Sequence, residues 1–314
     1  MSKRVSTAIV ILMILTGLSL LLYPTVSDYL RSLAYRRTIS SYAASVEQLD
    51  DVRYGELLAA ARAYNERLAE QGGFTLSLSQ ERWAEYIGLL NVDNSGVMGY
   101  VSVPKVNISL PIYHGTDDSV LQSGVGHLEG SSLPVGGPGA HAVLSAHTGL
   151  PSAKLFTSID QLVEGDAFTV RVLKETLTYQ VDQILVVRPY QTDALRIEPG
   201  KDYCTLMTCT PYGVNSHRLL VRGRRIPTLP EEDTSPDFPI EGLGLDNNGL
   251  FDSAAGLGIL IFAVPALAVL VIAWRRRRMW KRAKRLKKKG KSGESGGNSP
   301  NSEHSGTAAE EVIE

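Results

Sequence analysis

The sequence predicts a mainly β domain, a closed barrel or sandwich, carried between a helical N-terminal part and a second apolar segment near the C-terminus. Three observations lead there. From Gly99 onward, short β-prone runs alternate with Gly, Pro and Asp clusters. Before Gly72 the apolar residues recur at helical spacing, and two uncharged stretches near the ends are each long enough to cross a bilayer.

The first stretch, residues 5–23, reads VSTAIVILMILTGLSLLLY and follows Lys3 and Arg4. At 1.5 Å per residue it spans nearly the whole hydrocarbon core. A cleaved signal peptide is the competing reading, but the apolar stretch is longer than a usual signal core and no clear small-residue cleavage site follows it. The second stretch, residues 253–274, runs directly into Arg275–Arg278 and a basic tract ending near Lys289. Basic flanks stay on the cytoplasmic side, so residues 1–4 and the tail 275–314 are expected inside the cell membrane and the middle outside. A Pro- and acid-rich spacer, 228–252, precedes the second span, and the end of the tail has the composition of a disordered segment.

The net charge of −1 conceals an asymmetry. Of 32 Lys and Arg residues, 2 precede the first span and 12 follow the second, while 5 of 33 Asp and Glu lie in the tail, leaving the exported part about ten charges negative. That balance argues against nucleic acid as a partner. The basic tract instead suits anionic lipid.

Between the spans, Tyr54, Leu57, Ala61, Tyr64 and Leu68 mark a helix over about 27–71, ended by Gly72 and Gly73. Residues 74–96, with Trp83 and Tyr86, read as a connector packed on the main domain. The strand runs are YVSVP, ISLPIY, HAVLSAH, AFTVRVL, LTYQVDQILVV, YCTLMTC and HRLLVRG. In the longest, Leu177, Tyr179 and Val181 share one face and Ile184 and Val186 take the opposite phase, which predicts a bulge near Asp182. The Gly- and Ser-rich stretch from His114 to Gly139 has no clear period and is expected to be a structured loop.

Two cysteines in an exported chain invite a disulfide. Cys204 and Cys209 share one β-prone run, however, which places their Cα atoms about 16 Å apart and their side chains on opposite faces. An unpaired thiol is either a small buried hydrophobe or a reactive group. Cysteine chemistry needs a thiolate, a proton carrier and a donor for the oxyanion. Three strand ends offer these types: Cys209 before Thr210-Pro211-Tyr212-Gly213, His147 at the end of HAVLSAH, and Arg218 at the start of HRLLVRG. From residue types alone, a core cysteine, a solvated histidine and a surface arginine are the commoner outcomes. His114, His127, His141 and His217 compete with His147.

The runs SAHTGLP around His147, TLMTCTPYGVNSHRLLVRG around Cys209 and Arg218, and LPIYHGT with VLQSGVGHLEGSSLPVGG upstream resemble class C, pilus-type sortases over about residues 98–226. The resemblance implies an eight-stranded sortase-type β-barrel at 98–227, with 24–97 as a helical extension and possible lid region. It implies a cysteine transpeptidase with Cys209 as nucleophile, His147 as proton donor and acceptor, and Arg218 binding substrate and the oxyanion. The expected partners are LPxTG-bearing pilin subunits, joined through a pilin lysine, and membrane lipid around two transmembrane helices. No cofactor is implied, and no acidic cluster compels a calcium site. Pilus-type sortases usually carry an Asp-Pro-aromatic lid motif, and none lies between Gly72 and Gly99; Phe74 or Trp83 could fill the pocket instead, or pack on the barrel. The alternatives are a housekeeping sortase acting on a cell-wall peptide amine, a hydrolytic cysteine protease, and a non-catalytic surface scaffold.

Overall fold

A computed structural model describes residues 3–75, 78–229 and 278. The chain divides into two compact units; Leu21–Asn248 holds the barrel, and Met1–Leu20 with Gly249–Glu314 forms the other. The predicted second span, and nearly all of the spacer and tail, lie outside the described residues.

Eight strands close into one barrel: β1 (Val97–Val103), β2 (Ile108–His114), β3 (Val125–His127), β4 (Ala140–Ser145), β5 (Ala167–Val172), β6 (Glu175–Val187), β7 (Asp202–Thr210) and β8 (His217–Ile226). Around the barrel the order is β1-β2-β3-β4-β7-β8-β6-β5. The β2–β3 and β4–β7 pairs are parallel and the others antiparallel. Alternation sorts each strand into an interior and an exterior set. Leu144, Leu177, Tyr179, Cys204, Leu206 and Val221 belong to one large buried cluster. The register of β6 against β8 slips between Val181 and Gln183, which is where the change of hydrophobic phase predicts the bulge. The slip returns Ile184 to the interior set, whereas Val186 is 61% exposed near the strand's end.

Among the described residues, four α-helices accompany the barrel: α1 (Lys3–Glu47), α2 (Asp51–Glu70), α3 (Gln80–Gly88) and α4 (Asp118–Ser123). The apolar run of α1 is not buried against the protein, and α1 is long and apolar enough to cross a membrane. The single helix expected over 27–71 is two. Its first half continues the apolar run as α1, and the break falls at Asp50, whose carboxylate accepts the Arg53 N–H at 2.7 Å and caps α2. Gly72 and Gly73, at φ 98° and 85°, terminate α2 as expected.

α1 is fastened to the barrel by Tyr42, whose hydroxyl donates to the Met98 carbonyl at 2.9 Å and accepts the Leu173 N–H at 2.8 Å. The connector contributes Tyr86, fully buried in the main cluster, with Trp83 packed against it at 5.5 Å.

The stretch from His114 to Gly139 is more ordered than a loop, holding both α4 and β3. β3 has only three residues and adjoins Gly124, so it is too short to carry a period.

Candidate active site

Cys209 and Arg218 are direct cross-strand partners on β7 and β8, joined by the turn at 211–216. Residues opposite each other across antiparallel strands share a face, with Cβ atoms about 4.5–5.5 Å apart. The β4–β7 ladder pairs Ser145 with Met207. Two bonds carry the alignment further: the Ala146 N–H donates to the Met207 carbonyl at 3.1 Å, and the Thr208 hydroxyl donates to the Ala146 carbonyl at 2.7 Å. Continued by one more residue, that register puts His147 abreast of Cys209. His147 therefore stands beyond the end of β4 rather than closing the strand, because β4 stops at Ser145. All three side chains are half-buried.

The two cysteines differ as their spacing predicts. Cys204 is buried in the interior cluster, and burial pushes its thiol well above the ordinary range. Cys209 is in the opposite phase and partly exposed, and both thiols are free.

Hydrogen bonding separates the histidines. His141 is held between the Arg196 carbonyl and the Thr205 hydroxyl, each at 2.8 Å. His114 lies 3.0 Å from the Gly96 carbonyl and 2.6 Å from the Leu89 carbonyl. His127 contacts the Tyr86 hydroxyl and the Ser132 carbonyl, each at 2.8 Å. His217 has its Nδ1 2.9 Å from the Ser216 hydroxyl in the exposed turn. Among the described residues only His147 has a ring without a hydrogen-bond partner, and it is the one beside the exposed thiol.

The segment after His147 is closed on itself. Its carbonyl accepts the Phe156 N–H at 3.1 Å, and the Gly149 N–H donates to Thr157 Oγ1 at 3.0 Å. Gly149 sits at φ +74° beneath the Tyr212 ring, and a Cβ there would lie 2.9 Å from that ring. Glycine thus lets the β7–β8 turn close over the His147 loop. Arg218 Nη1 donates to the carbonyls of Asn215 and His217 at 3.3 and 3.2 Å, which turns the guanidinium toward the same rim.

An apolar strip leads along the outer face to this rim. Val143 and Leu220 are buried there with Leu195 from the β6–β7 connection, and Met207, Leu185 and Val187 pack against them. By register, Met207 precedes Cys209 on the same face and Leu220 follows Arg218. Phe74 and Leu128 also pack on the cluster. Phe74 is fixed by its neighbour: the Thr75 N–H donates to the Gly130 carbonyl at 3.2 Å. Sequence reasoning left Phe74 and Trp83 as alternatives for the pocket. Phe74 joins the outer strip, while Trp83 packs over Tyr86 and Gly115. The strip itself is missed by sequence reasoning, although parity along 205–209 and 218–222 carries its signal.

His127, one of the histidines that compete with His147, has a structural role. Nε2 donates to the Ser132 carbonyl, so Nδ1 is left to accept the Tyr86 hydroxyl. Burial lowers its pKa from 6.5 to about 4. Because the folded pKa is depressed, the unfolded chain binds more protons between these values, and stability falls as pH drops from about 6.5 toward 4. Burial lowers His114 and His141 in the same direction. We expect the urea midpoint to drop between pH 7 and pH 5, His127 alone contributing about 2 kcal/mol. A midpoint that stays level or rises over that interval contradicts a neutral buried His127.

A sortase-domain family profile matches residues 101–226. The fold resembles the crystal structure of sortase C1 from Streptococcus agalactiae, with 49% identity, a TM-score of 0.60, and coverage of 61% of this chain and 99% of that one. It also resembles sortase C of Streptococcus pneumoniae, at 43% identity and TM-score 0.55, covering 61% of this chain and 97% of that one. Sortase D of Bacillus subtilis is 29% identical over 131 residues, covering 41% of this chain and 63% of the relative's length. The matched region is the closed barrel with the thiol, imidazole and guanidinium at its rim. The chain belongs to the sortase family.

Proposed function

We propose that this chain is a class C, pilus-type sortase: a cysteine transpeptidase that cuts an LPxTG-like sorting signal between Thr and Gly and transfers the acyl group to a lysine of a pilin subunit. The single observation that carries this reading is the pairing of an exposed-face Cys209 with Arg218, with His147 abreast, at the end of an apolar strip. The likeness to sortases of the C group over almost their whole length favours the pilus class over a cell-wall-anchoring one.

In this mechanism the Cys209 proton passes to His147, and Sγ attacks the Thr carbonyl carbon and forms a C–S bond. The C–N bond to Gly breaks as the departing nitrogen takes a proton from His147. Arg218 donates to the carbonyl oxygen while it carries negative charge. An incoming amine then attacks the thioester, its C–N bond forming as the C–S bond breaks, and its proton passes to His147 and on to the departing Cys209 sulfur. One amide is exchanged for another, so no nucleotide is consumed. The apolar strip binds the apolar residues ahead of the scissile bond, and Phe74 forms part of its wall in place of an Asp-Pro-aromatic lid.

The test is intact-mass analysis after incubation with an LPxTG peptide. A Cys209 thioacyl adduct should form, and a pilin lysine should clear it faster than a wall-peptide amine. Faster clearance by the wall peptide assigns the chain to the anchoring class. Clearance by water alone at the same rate makes it a hydrolase.

A further inference from the structure

The rim that carries Cys209 and His147 is tied to α1 at the point where the apolar run ends. Through Leu21, Leu22, Tyr23 and Val26 the side chains of α1 are exposed on all sides of the helix. Contact with the barrel begins at the next residues. The Ser27 hydroxyl donates to the Ser152 carbonyl at 3.1 Å, and Asp28 accepts the Lys154 N–H at 2.9 Å, with the Lys154 ammonium 3.7 Å away. Ser152 and Lys154 belong to the loop that closes back on His147 through Phe156.

From there α1 follows the barrel toward its other end. Arg31 donates to the carbonyl of Gln122, in α4, at 3.0 Å, and Tyr42 reaches Met98 and Leu173. Leu173 lies in the β5–β6 turn, at the start of β6, whereas Val187 at the end of β6 pairs with Arg218. The fifteen residues from Ser27 to Tyr42 cover about 22 Å of helix. The rim is therefore the end of the barrel nearest the exposed turn of α1 at Leu21–Tyr23, and four residues, about 6 Å of helix, separate Tyr23 from Ser27.

A second feature marks the same rim. Tyr190, Tyr212 and Val214 are each about 70% exposed, and Val186 is 61% exposed. They sit on the β6–β7 connection, the β7–β8 turn and the end of strand β6. Aromatic residues beside an apolar span are typical of the membrane–water interface. Large exposed apolar groups gathered at one end of a barrel need a partner.

We infer that this rim faces a lipid bilayer: Leu21–Val26 pass through its interface, the 150–154 loop and the β7–β8 turn lie at headgroup level, and the β5–β6 turn points away. The occupant is lipid rather than a protein groove because Leu21–Val26, exposed on every side just ahead of the rim contacts, belong to a helix long and apolar enough to cross a membrane. Cys209 then works close to the lipid surface. The inference rests on reading the apolar run as a span and is independent of the transpeptidase assignment.

The test uses the full chain carrying Cys209→Ala, reconstituted in phosphatidylcholine–phosphatidylglycerol vesicles doped with nitroxide-headgroup lipid. An environment-sensitive fluorophore is attached at Lys154→Cys, at Pro151→Cys as a second rim position, or at Lys174→Cys in the β5–β6 turn. Both rim labels should lose most of their emission and the Lys174 label little. Equal quenching at the three positions, or stronger quenching at Lys174, overturns the orientation. Inserting a flexible Gly-Ser spacer between Tyr23 and Pro24 should bring the rim labels down to the Lys174 level; undiminished quenching overturns the role of α1 in setting the height. Because no label depends on turnover, loss of acyl transfer and loss of orientation are read separately.

Discussion

Replacing Cys209 with alanine is expected to abolish the thioacyl adduct and to lower transpeptidation by ~10⁴-fold or more, the scale on which removal of a covalent nucleophile acts. The other thiol cannot substitute. Cys204 lies on the same strand in the opposite phase, is fully buried, and is pushed by its surroundings toward the inert neutral form. Cys204→Ala should therefore retain the adduct and lose only packing. The variant at 209 should melt near the parent temperature, since its side chain is half-exposed on the outer face and outside the interior cluster. Mass spectrometry of both variants with an LPxTG peptide decides the matter: an adduct on Cys209→Ala, or its loss on Cys204→Ala in a folded protein, removes Cys209 from the nucleophile's role. The scaffold alternative makes the opposite prediction, with function intact in Cys209→Ala.

How much of this was legible in the sequence depends on the distance over which each contact is made. The β6 bulge is local: hydrophobic phase changes within five residues of Asp182, and the register slips there. The Cys209–Arg218 pairing is nearly as local, since a short turn between two β-prone runs folds them against each other. The separation of Cys204 from Cys209 follows from strand geometry alone. The join of β4 to β7 is another matter. It is a parallel pairing between strands about sixty residues apart, so nothing near His147 announces that it stands beside Cys209, and family likeness had to supply the choice among the histidines. The structure gives a physical reason for that choice, in that the rings of His114, His127 and His141 are already engaged by carbonyls or hydroxyls.

The failures have the same origin. Apolar periodicity across residues 27–71 is continuous enough to read as one helix, and the break rests on a single carboxylate capping its own chain at Asp50. β3 is held by pairing on both sides rather than by its own pattern. The outer apolar strip is assembled from β4, β6, β7 and β8 with Phe74 and Leu195 added from connections. Each strand there alternates as any barrel strand does, so the exterior set looks like ordinary surface until the neighbours across the sheet are known.

Arg218→Ala is expected to cost about 10²- to 10³-fold in kcat/KM, the effect of losing one donor aimed at a developing oxyanion. The side chain is held by two weak bonds, to the carbonyls of Asn215 and His217, and stands across from Cys209. Arg218→Lys should recover only part of the loss. A lysine ammonium keeps the charge but cannot hold the turn carbonyls and a substrate oxygen through one planar fork. The distinction from a merely structural arginine lies in which constant moves. Removing a donor used in the transition state lowers kcat, whereas loosening the β7–β8 turn lowers the melting temperature and raises KM. A variant whose kcat stays within about threefold of the parent while its melting temperature falls makes Arg218 a clamp of the turn. The opposite pattern, kcat reduced and melting unchanged, assigns it to the reacting carbonyl.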